Sequence, residues 1–235
     1  METTETKVEK AARVEKQAVD ASELLLVNKQ SLRELTADEV FTFKIAACND
    51  QVDRDFEHFS EKALGQLASL FVGKTVIMDH DWTAKNQTAR VYASGVEPTD
   101  GGGHQLVLRA YMLRSEDTQN AIDRIESGIL REISIGCSMQ KAVCDLCGAD
   151  KRITRCEHRP GHDYDGKTAT VTLDEAVDAY EVSFVAVPSQ REAGTLKKYG
   201  GEDAKPPETH TDNQTALRLR LAGTKQKLFD MEVSE

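Results

Sequence analysis

Apolar residues recur at two spacings along this chain, and the switches between them mark its elements. Val40-Phe41-Thr42-Phe43-Lys44-Ile45 alternates with period two, setting Val40, Thr42 and Lys44 on one face and Phe41, Phe43 and Ile45 on the other. That is the signature of a strand, the first of the fold. Ala63, Leu64, Leu67, Ala68, Leu70 and Phe71 instead trace one helical stripe, with Ser60 placed to cap its start and Gly73 to end it. Lys74-Thr75-Val76-Ile77-Met78 reads as the next strand. Residues 89–96 and 105–112 read as two more, joined by a hairpin turn across Thr99-Asp100-Gly101-Gly102-Gly103. Those glycines lack a following Lys-Ser/Thr and so make no phosphate-cradling loop. A short helix follows, with Ser115 or Thr118 near its start, Ile122 and Ile125 inward and Gly128 at its end. Two further strands are predicted over 132–139 and 179–187, the second closed by Pro188.

The flanks lose this patterning. Residues 1 to about 22 are rich in Glu, Lys, Ala and Thr, and Leu24-Leu25-Leu26-Val27 is the first apolar run. From Gly200 to about Asp212 the chain is polar and proline-containing, which reads as a linker, and Thr215–Leu221 is a short amphipathic piece. The expected organisation is an N-terminal arm over 1–36, one domain over 37–199 with an insert at 143–166, and a linker and tail over 200–235. The fold class expected is α+β, mostly β.

Composition narrows the function. Hydrophobic residues make up 39% of the 235 residues and charged ones 30%, so the core is modest and the extensions polar. A net charge of −10 disfavours binding to a phosphate backbone, so no nucleic-acid partner is expected. No apolar run approaches the roughly 20 residues that span a bilayer. Met1 to Lys16 is charged and lacks a signal-peptide apolar segment, so the expected location is the cytosol, with no membrane partner. Asn49–Asp55 carries several aspartates but not the Gly and terminal Glu spacing of a calcium loop.

Three of the five cysteines crowd between positions 144 and 156. Cys144-Asp145-Leu146-Cys147-Gly148 has the two-residue spacing at which one tight turn aims two thiolates at one ion. Cys156 with His158 or His162 completes a Cys₃His set, four-coordinate and closed, so a structural Zn²⁺ is the expected cofactor. Free thiols and surface histidines would leave a Gly/Arg/Asp-rich segment with almost nothing to order it.

Glu132–Met139 carries the candidate nucleophile. Period two puts Ser134, Gly136 and Ser138 on one face and Ile133, Ile135, Cys137 and Met139 on the core face. Hydroxyls flanking a glycine suit a nucleophile with room for a substrate backbone beside it. Cys137 is the stronger nucleophile chemically, but strand parity turns it toward the core. A serine needs a base to take its proton. His80, at the end of the 74–78 strand, is the histidine best placed for rigid presentation, since His158 and His162 are claimed by the metal and His58, His104 and His210 lie in charged or loop segments.

The order Asn49…Asp53-Arg54-Asp55, Gly73-Lys74…Asp79-His80, Arg90-Val91-Tyr92, Ser134-Ile135-Gly136 and Tyr180-Glu181-Val182-Ser183-Phe184-Val185…Pro188 resembles the prohead (capsid-maturation) proteases of tailed bacteriophages. The resemblance covers roughly residues 30 to 197. It implies a serine endopeptidase sharing its fold with the herpesvirus assemblins, a small antiparallel β-barrel flanked by helices. It also implies Ser134 as nucleophile, His80 as general base and Glu181 as the orienting acid, with Asp178 and Asp79 as alternatives for the last. Expected substrates are scaffold and capsid-protein segments inside the assembling procapsid in the host cytoplasm, and a homo-oligomer is compatible with that setting. The competing expectation is a non-enzymatic, zinc-stabilised virion assembly protein.

Overall fold

The structure is a computed structural model that describes residues 19–99, 101–190 and 193–196. The first 18 residues, the linker and the amphipathic piece at 215–221 lie outside the described residues.

Helix α1 (Ala21–Asn28) opens the described chain, capped by Asp20, whose side chain accepts from the Glu23 N–H. Strand β1 (Val40–Asn49) follows, then β2 (Glu57–Phe59), helix α2 (Glu61–Phe71), β3 (Thr75–Met78), β4 (Ala89–Pro98), β5 (His104–Leu113) and helix α3 (Glu116–Glu126). The long strand β6 (Ile133–Cys144) leads through β7 (Asp163–Tyr164) and β8 (Lys167–Thr168) to the longer β9 (Val171–Phe184), and β10 (Gly194–Leu196) ends the described part.

The strands order as β10-β1-β5-β4-β3-β9-β2, with β6 also paired to β9. The sheet is mixed: β2 and β3 run parallel to β9, and the other pairs are antiparallel. This corrects the expected small antiparallel barrel, because the sheet does not close. Glu132, just before β6, makes a single bridge to Gly194 of β10, and from Ile133 onward the ladder of β6 is to β9. A three-residue β10 is too short to zip a second edge along β6. The mostly-β, α+β class stands.

The period-two reading of β1 holds in detail. Phe41, Phe43 and Ile45 enter the main core, while Val40 packs on the opposite face with Val27, Leu35, Tyr92 and Tyr111. Residues 19–35, within the segment read as an arm, thus supply Val19, Val27 and Leu35 to that second cluster. The Ser60 hydroxyl accepts from the Ala63 N–H at 3.0 Å, capping α2 as expected. Gly73 beyond its end has φ +86°, a value that L side chains resist.

α2 lies on the main core and buries Ala63, Leu64, Leu67 and Phe71. Leu67 is fully buried, so Leu67→Ala is expected to lower unfolding free energy by about 2–5 kcal/mol in urea denaturation with little change in slope. No helix among the described residues is long and apolar enough to cross a membrane.

Candidate active site and metal centre

β3 ends at Met78, and the next two residues, Asp79 and His80, both adopt positive φ (52° and 54°). Two successive non-glycine residues in the left-handed region are uncommon and persist only where the surroundings hold them. Here the Asp79 N–H donates to the Phe184 carbonyl at 2.9 Å and the His80 N–H to Ser183 Oγ at 2.8 Å. The Asn86 amide closes the loop by donating to the carbonyls of Met78 and Asp81, both at 2.9 Å. The turn swings the imidazole back over the sheet.

There it meets Glu181. His80 Nδ1 lies 2.7 Å from Glu181 Oε1, and the carboxyl side chain is only 3% exposed. Of the three acids considered beside His80, Glu181 makes this bond. Asp178 is turned to Lys74 at 3.3 Å and to its neighbour's N–H, and Asp79 is exposed. A carboxylate only accepts, so this bond assigns the ring proton to Nδ1 and the lone pair to Nε2, the tautomer a general base requires.

Ser134 lies on the same sheet face, on β6. Ser134↔Ser183 and Gly136↔Glu181 are cross-strand pairs, so all four residues share one face of the sheet. Ile133 and Met139 are buried in the core, and Ile135 and Cys137 pack against it, as parity requires. Ser134 is therefore one cross-strand step from Ser183, whose hydroxyl holds the His80 backbone. Among the described residues no hydrogen bond joins Ser134 to His80. Resting enzymes commonly show long catalytic hydrogen bonds that tighten with substrate.

Gly136 has a different use from the one expected. A Cβ there would sit 2.5 Å from Glu181 Oε1, so the glycine makes room for the carboxylate rather than for a substrate backbone. Cys137 is no rival: burial, with Glu181 nearby adding to it, pushes its thiol up to about 11. Ser183 and Asn86 were not singled out from the sequence. The signal for Ser183 was present, a fully buried hydroxyl between the buried Val182 and Phe184 and in parity with Glu181. Asn86 sits in a loop with no pattern to read.

Two cavities flank these residues. One, of ≈ 420 Å³, is lined by Lys74, Thr75, Ile77, Trp82, Tyr180 and Glu181 among others. The other, of ≈ 260 Å³, borders Ser134 and Gly136 and carries Asp53, Asp55 and Glu57. Burial raises the Glu57 carboxyl above its ordinary range, and the charges of Asp53 and Asp55 raise it further.

The cysteine cluster assembles at the far end of the β6–β9 ribbon. Cys144, Cys147, Cys156 and His158 bring their donor atoms within 4.8 Å of one another, and these four could hold a metal ion. Cys147 and Cys156 Sγ are 3.5 Å apart, and His158 Nδ1 lies 3.6 Å from Cys144 Sγ and 3.7 Å from Cys156 Sγ. His158 is thus the cluster's nitrogen, and His162 is exposed outside it. Gly148, at φ +72°, lets the knuckle turn, and its N–H donates to the Cys144 carbonyl at 2.8 Å.

The His158 ring stands edge-on to Tyr164, with centroids 4.7 Å apart, and Lys151 Nζ donates to its carbonyl at 2.7 Å. Burial pushes the Cys144 thiol up, but the N–H groups of Cys147 and Leu146 and the neighbouring thiols outweigh it and bring it down to about 7. Thiolate character of that kind is what a metal ligand needs. No family model matches the chain, and no curated protein or solved structure matches it either.

Proposed function

We propose that the chain is a serine endopeptidase using Ser134, His80 and Glu181, and that its Cys₃His cluster holds a structural Zn²⁺. The observation that carries the first claim is the 2.7 Å bond from His80 Nδ1 to the buried Glu181 carboxylate, on the sheet face that also presents Ser134. As Ser134 Oγ attacks a peptide carbonyl, His80 Nε2 takes its proton and Glu181 stabilises the imidazolium. The imidazolium then protonates the departing amine, leaving an acyl-serine. Water, deprotonated by the same imidazole, hydrolyses the ester and frees Ser134. Ser183 acts through His80, fixing its backbone at the angle this transfer needs.

For the metal, a tetrahedral Zn²⁺ about 2.3 Å from each thiolate sets its donor atoms roughly 3.5–3.8 Å apart. Three donor pairs here, at 3.5–3.7 Å, match that cage, and all four donor atoms lie within 4.8 Å of one another. Three thiolates and one imidazole leave no open position, so zinc would hold the insert together and leave hydrolysis to Ser134. The resemblance to prohead proteases supports scaffold and capsid-protein segments as the substrates, cleaved within an assembling phage procapsid.

A fluorophosphonate probe tests the reading directly. Mass spectrometry is expected to map one adduct to Ser134, and His80→Ala is expected to suppress it. Failure of the folded, metal-loaded protein to label at Ser134 would favour the assembly protein without enzymatic activity. Gly136→Ala is a finer test. Its Cβ would displace Glu181 Oε1 from His80, and a misplacement near 1 Å is expected to lower kcat by about 10²-fold while circular dichroism stays native.

A further inference from the structure

The ≈ 420 Å³ cavity beside Glu181 has features that catalysis by the three proposed residues leaves unexplained. Two large aromatic rings stand exposed at its wall, Trp82 at 67% and Tyr180 at 41%, with centroids 5.5 Å apart. At its floor, Glu181 spends Oε1 on His80, while the buried Oε2 has no hydrogen-bond partner. Oε1 is the oxygen over Gly136 on the β6 side. Thr75 on β3 is the cross-strand neighbour of Glu181, and both line this cavity.

We propose that this cavity is the side-chain subsite of the peptidase and takes a basic residue of the substrate, arginine or lysine. The proposal rests on the protease reading above. A cationic side chain lays its stem and charge against the Trp82 and Tyr180 faces and offers N–H donors to Glu181 Oε2. Other side chains fit less well. An apolar one would leave the buried Oε2 still without a donor. An acidic one would meet Glu181 with Asp178 nearby. The cavity's own cation, Lys74, is already matched by Asp178 at 3.3 Å, so Glu181 leaves the site net negative. Charge across the rest of the approach agrees, because the second cavity beside Ser134 carries Asp53, Asp55 and Glu57.

The experiment uses the full-length, metal-loaded protein and paired peptides that differ only in arginine against norleucine within two residues of the cut bond, the cut sites first located by mass spectrometry of a digested peptide library. Arginine and lysine are expected to be enriched beside the cuts, with kcat/KM about tenfold higher for arginine than for norleucine. Trp82→Ala is expected to bring that ratio down toward one. Ser134 labelling by the fluorophosphonate separates the two layers of the argument. Labelling with a wild-type ratio at or below one, or with a ratio that Trp82→Ala leaves unchanged, overturns the subsite and leaves the hydrolase standing. No labelling and no cleavage overturns the hydrolase and the subsite together.

Discussion

Ser134→Ala is expected to abolish peptide cleavage, lowering kcat by a factor on the order of 10⁴–10⁶, while the protein stays folded. The two halves of this expectation have separate causes. The Ser134 hydroxyl is half-buried and has no hydrogen-bond partner among the described residues, so removing it leaves no orphaned polar group. The change in unfolding free energy should stay within about 0.5 kcal/mol. Cleavage, in contrast, loses its nucleophile, since Ser138 on the same face lies four residues along β6 opposite Asp178 and the raised thiol of Cys137 packs against the core.

His80→Ala should lose a similar amount, and the double variant little more, because nucleophile and base act as one unit. Glu181→Gln is the informative third variant. It keeps the shape but offers His80 Nδ1 the wrong partner, and a fall of about 10⁴ is the expectation for that exchange. The measurement is mass spectrometry of capsid and scaffold proteins co-expressed with each variant. Undiminished clipping by purified Ser134→Ala would remove Ser134 as nucleophile.

How much of this could be read before the structure depends on what each residue faces. β1 and α2 were legible because alternation sorts the apolar residues of β1 between the main core and a second cluster, and a single helical stripe of α2 packs on the main core. The β6–β9 ribbon was legible only at its inner end. Beyond Met139, and before Ala179, the two strands reach the main core only through Leu173 and Ala176. Lys141 and Glu175 pair there at 2.8 Å, and the alternation that marks a strand fades. Two register shifts, at Tyr180 and Val177 of β9, leave no mark on hydropathy at all.

The candidate site divides in the same way. Ser134, His80 and Glu181 could be named, but the His80–Glu181 bond and its placement on the Ser134 face depend on features that residue type does not signal. Asp79 and His80 take up a left-handed turn without glycine, Ser183 holds a backbone N–H, and Gly136 yields space to a carboxylate. The Cys/His cluster was the most legible part, because thiol spacing across one turn fixes geometry locally. Even so, the choice of His158 over His162 needed the fold, in which the ring packs on Tyr164.

Stripping the metal is expected to unfold the insert while the core remains. Between Cys144 and Val171 the apolar residues are few, and Ile153 is 84% exposed, so packing cannot order this segment by itself. Binding of a structural Zn²⁺ by isolated finger peptides is worth about 10–16 kcal/mol, and here that energy has little else to replace it. Chelation, or Cys147→Ser, should therefore lower hydrogen-exchange protection across 145–170 by on the order of 10³-fold or more. Amides of β1, β5 and α2 should keep theirs, since the main core draws nothing from 145–170.

The loss has a route outward from the insert. Asp145, inside the knuckle, accepts from Thr170 and Thr172 and lies 3.2 Å from His58 Nε2, so it ties the turn to β2 and the start of β9. β6 carries Cys144 at one end and Ser134 near the other, while β9 carries Val171 and Glu181. A loosened ribbon should therefore slow cleavage by far less than Ser134→Ala does, and metal return should restore it. Elemental analysis is expected to find one zinc per chain. Metal-free protein with an equally protected insert would leave the cysteines as free thiols and require another source of order for this segment.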